Sequence, residues 1–177
     1  MIIFELMIPK TPWLARTFNF DFPVNHFACI CSRLHGTPVR IEELVKDLSE
    51  EQLEYKPEGK WSVKEHIGHL TDLEELHEAR LEDYKNKAVS LRAADMTNKK
   101  TYGANHNAHP VSRLINDFRS SRKLFLKHLE SLDESALSQV SIHPRLKKEM
   151  RLVDMAFFIA EHDDQHLVCI REIIDLL

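Results

Sequence analysis

Glycine is scarce in this chain, with four in 177 residues, and so are runs in which apolar and polar residues alternate. A sheet needs that alternation and tight turns between strands, so the expectation is an all-α fold. Cysteine is also sparse: Cys29, Cys31 and Cys169 make an odd count with no CxxC spacing. That excludes a disulfide framework, suits a reducing compartment, and leaves the three as small buried hydrophobes. An excess of positive charge is missing as well. The 24 basic and 28 acidic residues give a formal charge of −4, and no basic tract is available to neutralise phosphates or anionic lipid. Nucleic acid and membrane surfaces are therefore not expected as partners. No run approaches the roughly 20 apolar residues that span a bilayer. Met1–Lys10 is apolar but has neither a basic start nor a cleavage site, so it is not read as a signal peptide, and the chain is expected in the cytoplasm.

What is present is 43% hydrophobic and 29% charged residues, the balance of a globule, read as one domain over residues 1–177 with residues 1–22 as an irregular lead-in. A first helix is expected from Val24 to about Leu34. His35-Gly36-Thr37-Pro38 should stop or kink it, with Thr37 and Pro38 suited to cap a restart through Val39 to Leu48; one long helix with a break is the alternative. Ser49-Glu50-Glu51-Gln52 resembles a capping sequence for a short turn. Ser62, with Glu65 three residues on, forms a capping box for a second long helix, and Trp61 before it is placed to staple that helix to its neighbours. Its inner stripe is Val63, His66, Leu70, Leu73, His77, Leu81 and Tyr84, with His69 at one edge and Glu74, Glu75, Glu78 and Glu82 along the outside. Between Lys85 and His109 the periodicity fades into a long crossover. A third helix from about Pro110 to Ser131 carries Leu114, Phe118, Phe125, Leu126 and Leu129, and Asp133 to Leu137 is one more turn. Ser141-Ile142-His143-Pro144 is expected as loop. The last helix occupies roughly Arg151 to Leu176. Four helices with one long connection describe a four-helix bundle, whose interior commonly hosts metal sites built from facing helices.

The last helix carries the chemical signal. Met155, Ile159, His162, His166, Cys169, Ile173 and Leu176 follow steps of four and three, a stripe that faces a partner helix, and two of its members are imidazoles. Positions four apart differ by about 40° of rotation, so both rings stand on one face and can grip one ion. Two rings leave coordination positions open, and a third ligand must come from another helix. His66, His69 and His77 all lie on or beside the inner face of the second helix, and periodicity does not choose among them.

Trp61-Ser62-Val63-Lys64-Glu65-His66-Ile67-Gly68-His69-Leu70, together with Ala160-Glu161-His162-Asp163-Asp164-Gln165-His166-Leu167, resembles the DinB/YfiT-like superfamily of metal-dependent hydrolases and thiol transferases. That family places a histidine eight residues after a tryptophan on the second helix and a His-x-x-x-His pair on the last. By position, the resemblance implies that His69, His162 and His166 are the metal ligands. It extends from the helix near Val24 to the chain's end, and implies a four-helix bundle, frequently a homodimer, with nickel or zinc on three histidines and water completing the shell. It further implies a small-molecule substrate, with a low-molecular-weight thiol such as bacillithiol or mycothiol transferred to an electrophile or assisting an isomerisation. Fold and metal transfer more safely than reaction. Three neutral imidazoles leave a divalent ion its full charge, enough to acidify a thiol or water, so thiol transfer and hydrolysis are both open.

Other residues admit plainer readings. A single histidine on an apolar stripe is more often a hydrogen-bonded core residue than a ligand, and His66 and His77 are best read as structural groups or as groups holding solvent or substrate near the ion. Asp163 and Asp164 are placed to orient a ligand ring, with a solvated face as the alternative. Glu65 and Glu161 are possible bases, against a cap and a surface charge. Cys169 as a fourth ligand would close the shell and suit a structural metal. The His106-Asn107-Ala108-His109 cluster reads as polar loop, placed to rim a pocket. Phe18, Phe20, Phe22 and Phe27 read as core or dimer packing. The competing function is a noncatalytic bundle in which the histidines hold a structural ion or a small ligand and the stripes mediate dimerisation.

Overall fold

The computed structural model describes residues 10–177; the Met1–Lys10 segment, apart from Lys10, and the first part of the lead-in lie outside the described residues. Four long helices form the body: α1 Phe27–Val45, α3 Val63–Lys85, α5 Val111–Glu130 and α7 Leu152–Ile174. Short helices α2 Glu50–Glu54, α4 Lys99–Gly103 and α6 Glu134–Leu137 sit in the connections. The expected caps are present. Ser49 and Gln52 close a capping box on α2, Ser62 and Glu65 close another on α3, and Asp133 accepts from the Ala136 N–H on α6.

Two expectations are corrected. Ser141 to His143 are not loop: strand β1 Val140–His143 pairs antiparallel with β2 Lys148–Arg151, with Val140 opposite Arg151 and His143 opposite Lys148. Four-residue strands are too short for alternation to stand out, although their pattern does bury Ser141, His143 and Met150. The first helix also runs straight through the expected break. Pro38 sits inside α1, where it has no N–H to offer the Leu34 carbonyl four residues back. The Arg122 guanidinium donates to that carbonyl instead, at 3.4 Å. Thr37 is no cap; its hydroxyl donates to Asp163 at 2.8 Å.

Arg122 explains a third difference. Glu74, expected on the outer face, is buried because Arg122 crosses from α5 and donates to it through Nε and Nη2 at 2.9 and 2.7 Å. The same guanidinium pairs with Asp163 of α7. Burial alone would raise the Glu74 pKa, but the Arg122 charge and the bond from His77 bring it to about 2. Asp163 is thus engaged in a buried ion pair and orients no ligand ring. Asp164 pairs with Arg33 and Arg40.

Two apolar clusters fill the interior on either side of this charged layer. One gathers Leu34, Leu81, Phe125, Leu126, Met155 and Ile159, with Trp13, Phe20 and Phe22 of the lead-in packed against it. The other gathers Ile41, Ile67, Leu70, Phe118 and Ile170. Phe18 is buried in the first, as core packing. Of the cysteines only Cys31 is buried; Cys29 is exposed, and Cys169 is intermediate and lies 3.1 Å from Lys10 Nζ. Among the described residues, no helix is long and apolar enough to cross a membrane.

Candidate metal centre

His69 comes from the second turn of α3, and His162 and His166 from successive turns of α7. Each offers one ring nitrogen, and the three atoms lie within 4.8 Å of one another. The two α7 rings face each other with Nε2 atoms 3.2 Å apart. Donors bound at ~2.0–2.1 Å to one ion are about 2.9 Å apart at right angles and about 3.3 Å apart in a tetrahedron, so this pair already has the spacing of two ligands. The widest separation allowed by the group, 4.8 Å, exceeds the tetrahedral spacing by about 1.5 Å, a closure within reach of small ring rotations. The donor set fits a divalent cation.

Protonation favours the same use. Burial, then the neighbouring imidazoles, hold His162 and His166 well below the ordinary histidine value. His69 falls to about 4, chiefly by burial, with Asp72 opposing and His77 and His106 adding to the drop. At neutral pH all three rings are neutral and have lone pairs to give. Two facing neutral nitrogens can share one proton between them or give both lone pairs to a cation.

Two of the rings have their remaining nitrogen anchored. His69 Nδ1 lies 3.0 Å from the Thr101 hydroxyl, which itself donates to Asp72 at 2.9 Å. That hydroxyl must therefore accept from His69, which puts the ring proton on Nδ1 and frees Nε2. His166 Nδ1 stands 2.8 Å from His66 Nδ1. With Nε2 of His166 turned to the centre, its Nδ1–H donates to His66, whose own proton then sits on Nε2. His162 Nδ1 is buried without a partner among the described residues, so no bond fixes its tautomer.

The crossover supplies the groups that sequence reasoning missed. Thr101 lies on α4, and His106 is buried with Nε2 donating to Asp72 at 2.9 Å, while His109 is not part of this contact. Gly68 makes room for it: a Cβ there would fall 2.2 Å from the His106 ring. A glycine inside an amphipathic helix one residue from a candidate ligand was the available signal. Trp61 packs on His69 and His166, with ring centroids 4.6 and 6.1 Å away, and Trp13 packs on His162 at 4.9 Å. Trp61 also packs on His66 of its own helix, with centroids 5.5 Å apart, so it is the expected staple as well as a roof over the imidazoles.

The remaining candidates fall outside the group. His66 is adjacent to His166 and burial lowers its pKa to about 3. His77 lies 3.3 Å from Glu74. Glu65 is held by its cap and by Lys56, and Glu161 by Arg16 and Arg33, so neither is placed as a base. Cys169 is absent from the three-residue group. A cavity of about 270 Å³ opens beside His66, lined also by Lys10, Trp61, Tyr102, Cys169 and Glu172.

The model of the DinB superfamily matches residues 33–170, which include all three histidines. Among solved structures, the fold is similar to YfiT from Bacillus subtilis, described as a probable metal-dependent hydrolase with an unusual four-helix bundle topology. The two share 16% identity over 89% of this chain and 91% of that one, with a TM-score of 0.71. No curated protein matches the chain. The chain belongs to the DinB superfamily and has its helical bundle fold.

Proposed function

We propose that this member of the DinB superfamily is a metal-dependent enzyme, with His69, His162 and His166 holding nickel or zinc. The observation that carries the reading is the convergence of three neutral ring nitrogens from two helices within 4.8 Å. A bound divalent cation would supply positive charge that makes a nearby thiol or water acidic enough to act as a nucleophile at neutral pH. The chain's own part is to hold the rings: Thr101, backed by Asp72, fixes His69, and His66 fixes His166. His66 lines the cavity, and with its proton on Nε2 it would be a donor for an oxygen of a bound small electrophile. Thiol transfer ranks slightly above hydrolysis, because sulfur suits zinc and nickel. A low-molecular-weight thiol, a cytoplasmic setting and a homodimer belong to the same reading; light scattering should then give twice the 20.7 kDa chain mass.

Elemental analysis of protein purified without a metal-affinity tag tests the metal. Close to one equivalent of nickel or zinc per chain is expected, and no uptake on adding either ion would reject the reading. One observation favours a second reading, a noncatalytic structural ion: both tryptophans cover the imidazoles. His162→Ala separates them. Retained folding with loss of turnover across a panel of thiols and electrophiles supports catalysis, whereas a large fall in Tm with no reaction found for the parent supports the structural role.

A further inference from the structure

Away from the three-histidine centre, Arg80 of α3, His143 at the end of β1 and Arg145 in the hairpin turn lie close enough to feel one another's charge, and two of their donor atoms are buried without an acceptor among the described residues. His143 is 3% exposed. Its Nδ1 accepts the Leu146 N–H at 3.2 Å, so the neutral ring carries its proton on Nε2. That Nε2–H is buried and has no partner among the described residues, and the same is true of Arg145 Nη2. Arg80, also 3% exposed, donates only its Nε, to the Arg92 carbonyl at 3.1 Å, among the described residues. Neither arginine has a carboxylate within ion-pair distance among those residues, in contrast to buried Arg122 and Lys64, which each have two.

A buried guanidinium without a paired carboxylate is costly, and here every unpartnered atom is a donor. Asp83 favours the Arg80 charge from beyond ion-pair distance, so water could satisfy the bonds but would add no negative charge to a region that holds two cations. Burial lowers Arg80 to about 10, so it stays charged at neutral pH. The cluster borders the histidine centre: the Arg145 guanidinium lies 5.5 Å from the Trp13 and Phe158 rings, and Trp13 touches His162 on its other contact. His143 packs on Phe158 at 5.0 Å.

We propose that Arg80, His143 and Arg145 form an anion subsite that takes the carboxylate of a small substrate whose reacting atom lies at the His69–His162–His166 centre. Placement of the reacting atom rests on the proposed metal function; binding of the carboxylate does not. Two guanidiniums and one neutral N–H offer charge-assisted bonds to both carboxylate oxygens.

The test is calorimetric titration of the metal-free full chain with propionate, with propionamide as neutral isostere and inorganic phosphate as competing anion. Saturable propionate binding is expected, with none for propionamide and with weaker binding of phosphate. Arg145→Gln should weaken propionate by about tenfold or more, since it removes a charged donor. Arg145→Lys keeps the charge but loses the fork, and should be intermediate; it carries the test if the glutamine variant does not fold. Absence of saturable binding, equal affinity in both Arg145 variants and the parent, or a phosphate preference would overturn the assignment. Loss of propionate binding in His162→Ala but not in Arg145→Gln would move the anion to the imidazoles and also overturn it. Failure of metal uptake with propionate binding intact would instead sink the metal reading and leave the subsite standing.

Discussion

Replacing Arg122 with Met removes the cation between two buried carboxylates and leaves, among the described residues, His77 beside Glu74. Arg122 is 1% exposed, Glu74 3% and Asp163 0%, so water cannot take over the lost bonds. Glu74 has a pKa of about 2 against 4.5 for the free group, which corresponds to about 3 kcal/mol of stability from that carboxylate alone. Breaking one partner of a buried pair typically costs about 3–5 kcal/mol, and the variant should lose that much in urea unfolding at pH 7. The pH dependence follows from the sign of the shift. In the parent, a depressed folded pKa gives stability that is fully present above 4.5 and is lost as pH falls toward 2. In the variant, the buried carboxylates prefer to be protonated, so the penalty is largest at neutral pH and the gap to the parent narrows on acidification. A second element isolates the bond to the Leu34 carbonyl: Pro38→Ala restores a backbone donor there. It should be more favourable in the Arg122→Met background than in the parent by about 1 kcal/mol. A variant within about 1 kcal/mol of the parent, with a gap that does not change with pH, would refute the argument.

Thr101→Val keeps the side-chain shape but removes the acceptor for His69 Nδ1–H and the donor to Asp72; metal affinity in a competition titration should fall by about 10- to 100-fold, and the metal-free protein should lose about 1–3 kcal/mol of stability. Gly68→Ala places a methyl 2.2 Å from the His106 ring, and the displaced crossover should lower stability by about 1–3 kcal/mol in chemical denaturation. Metal-free protein should weaken on acidification from about pH 6.5, because unfolded histidines take up protons while His66, near 3, and His69, near 4, stay neutral in the fold. Each such ring costs about 1.4 kcal/mol per pH unit across that window, and a flat stability between pH 7 and 5 by calorimetry would contradict it.

The parts of this fold governed by local chemistry were readable from residue order. Ser49 and Ser62 cap where their hydroxyls meet Gln52 and Glu65, and the stripe through Met155, Ile159 and His166 is buried as its spacing requires. Long-range compensation was not readable. Nothing near Glu74 announces Arg122, 48 positions away, and nothing near Pro38 reveals that the same side chain will satisfy Leu34. The site divides the same way. The His162 and His166 pair is visible as a break in an apolar stripe, but periodicity cannot separate His69 from His66 and His77, since all three project toward the interior. Their separation depends on tertiary partners: His66 against His166, His77 against Glu74, and His69 against Thr101 on the crossover. The unpartnered donors at His143 and Arg145 belong to a hairpin too short to register as strand.

X-ray absorption at the metal edge, on protein loaded with one equivalent of zinc or nickel, tests the central claim most directly. The account predicts three imidazole nitrogens at ~2.0–2.1 Å with lighter-atom ligands completing the shell, and one nitrogen lost in each of His69→Ala, His162→Ala and His166→Ala. A shell with fewer than three imidazoles, or one unchanged by those substitutions, would contradict it.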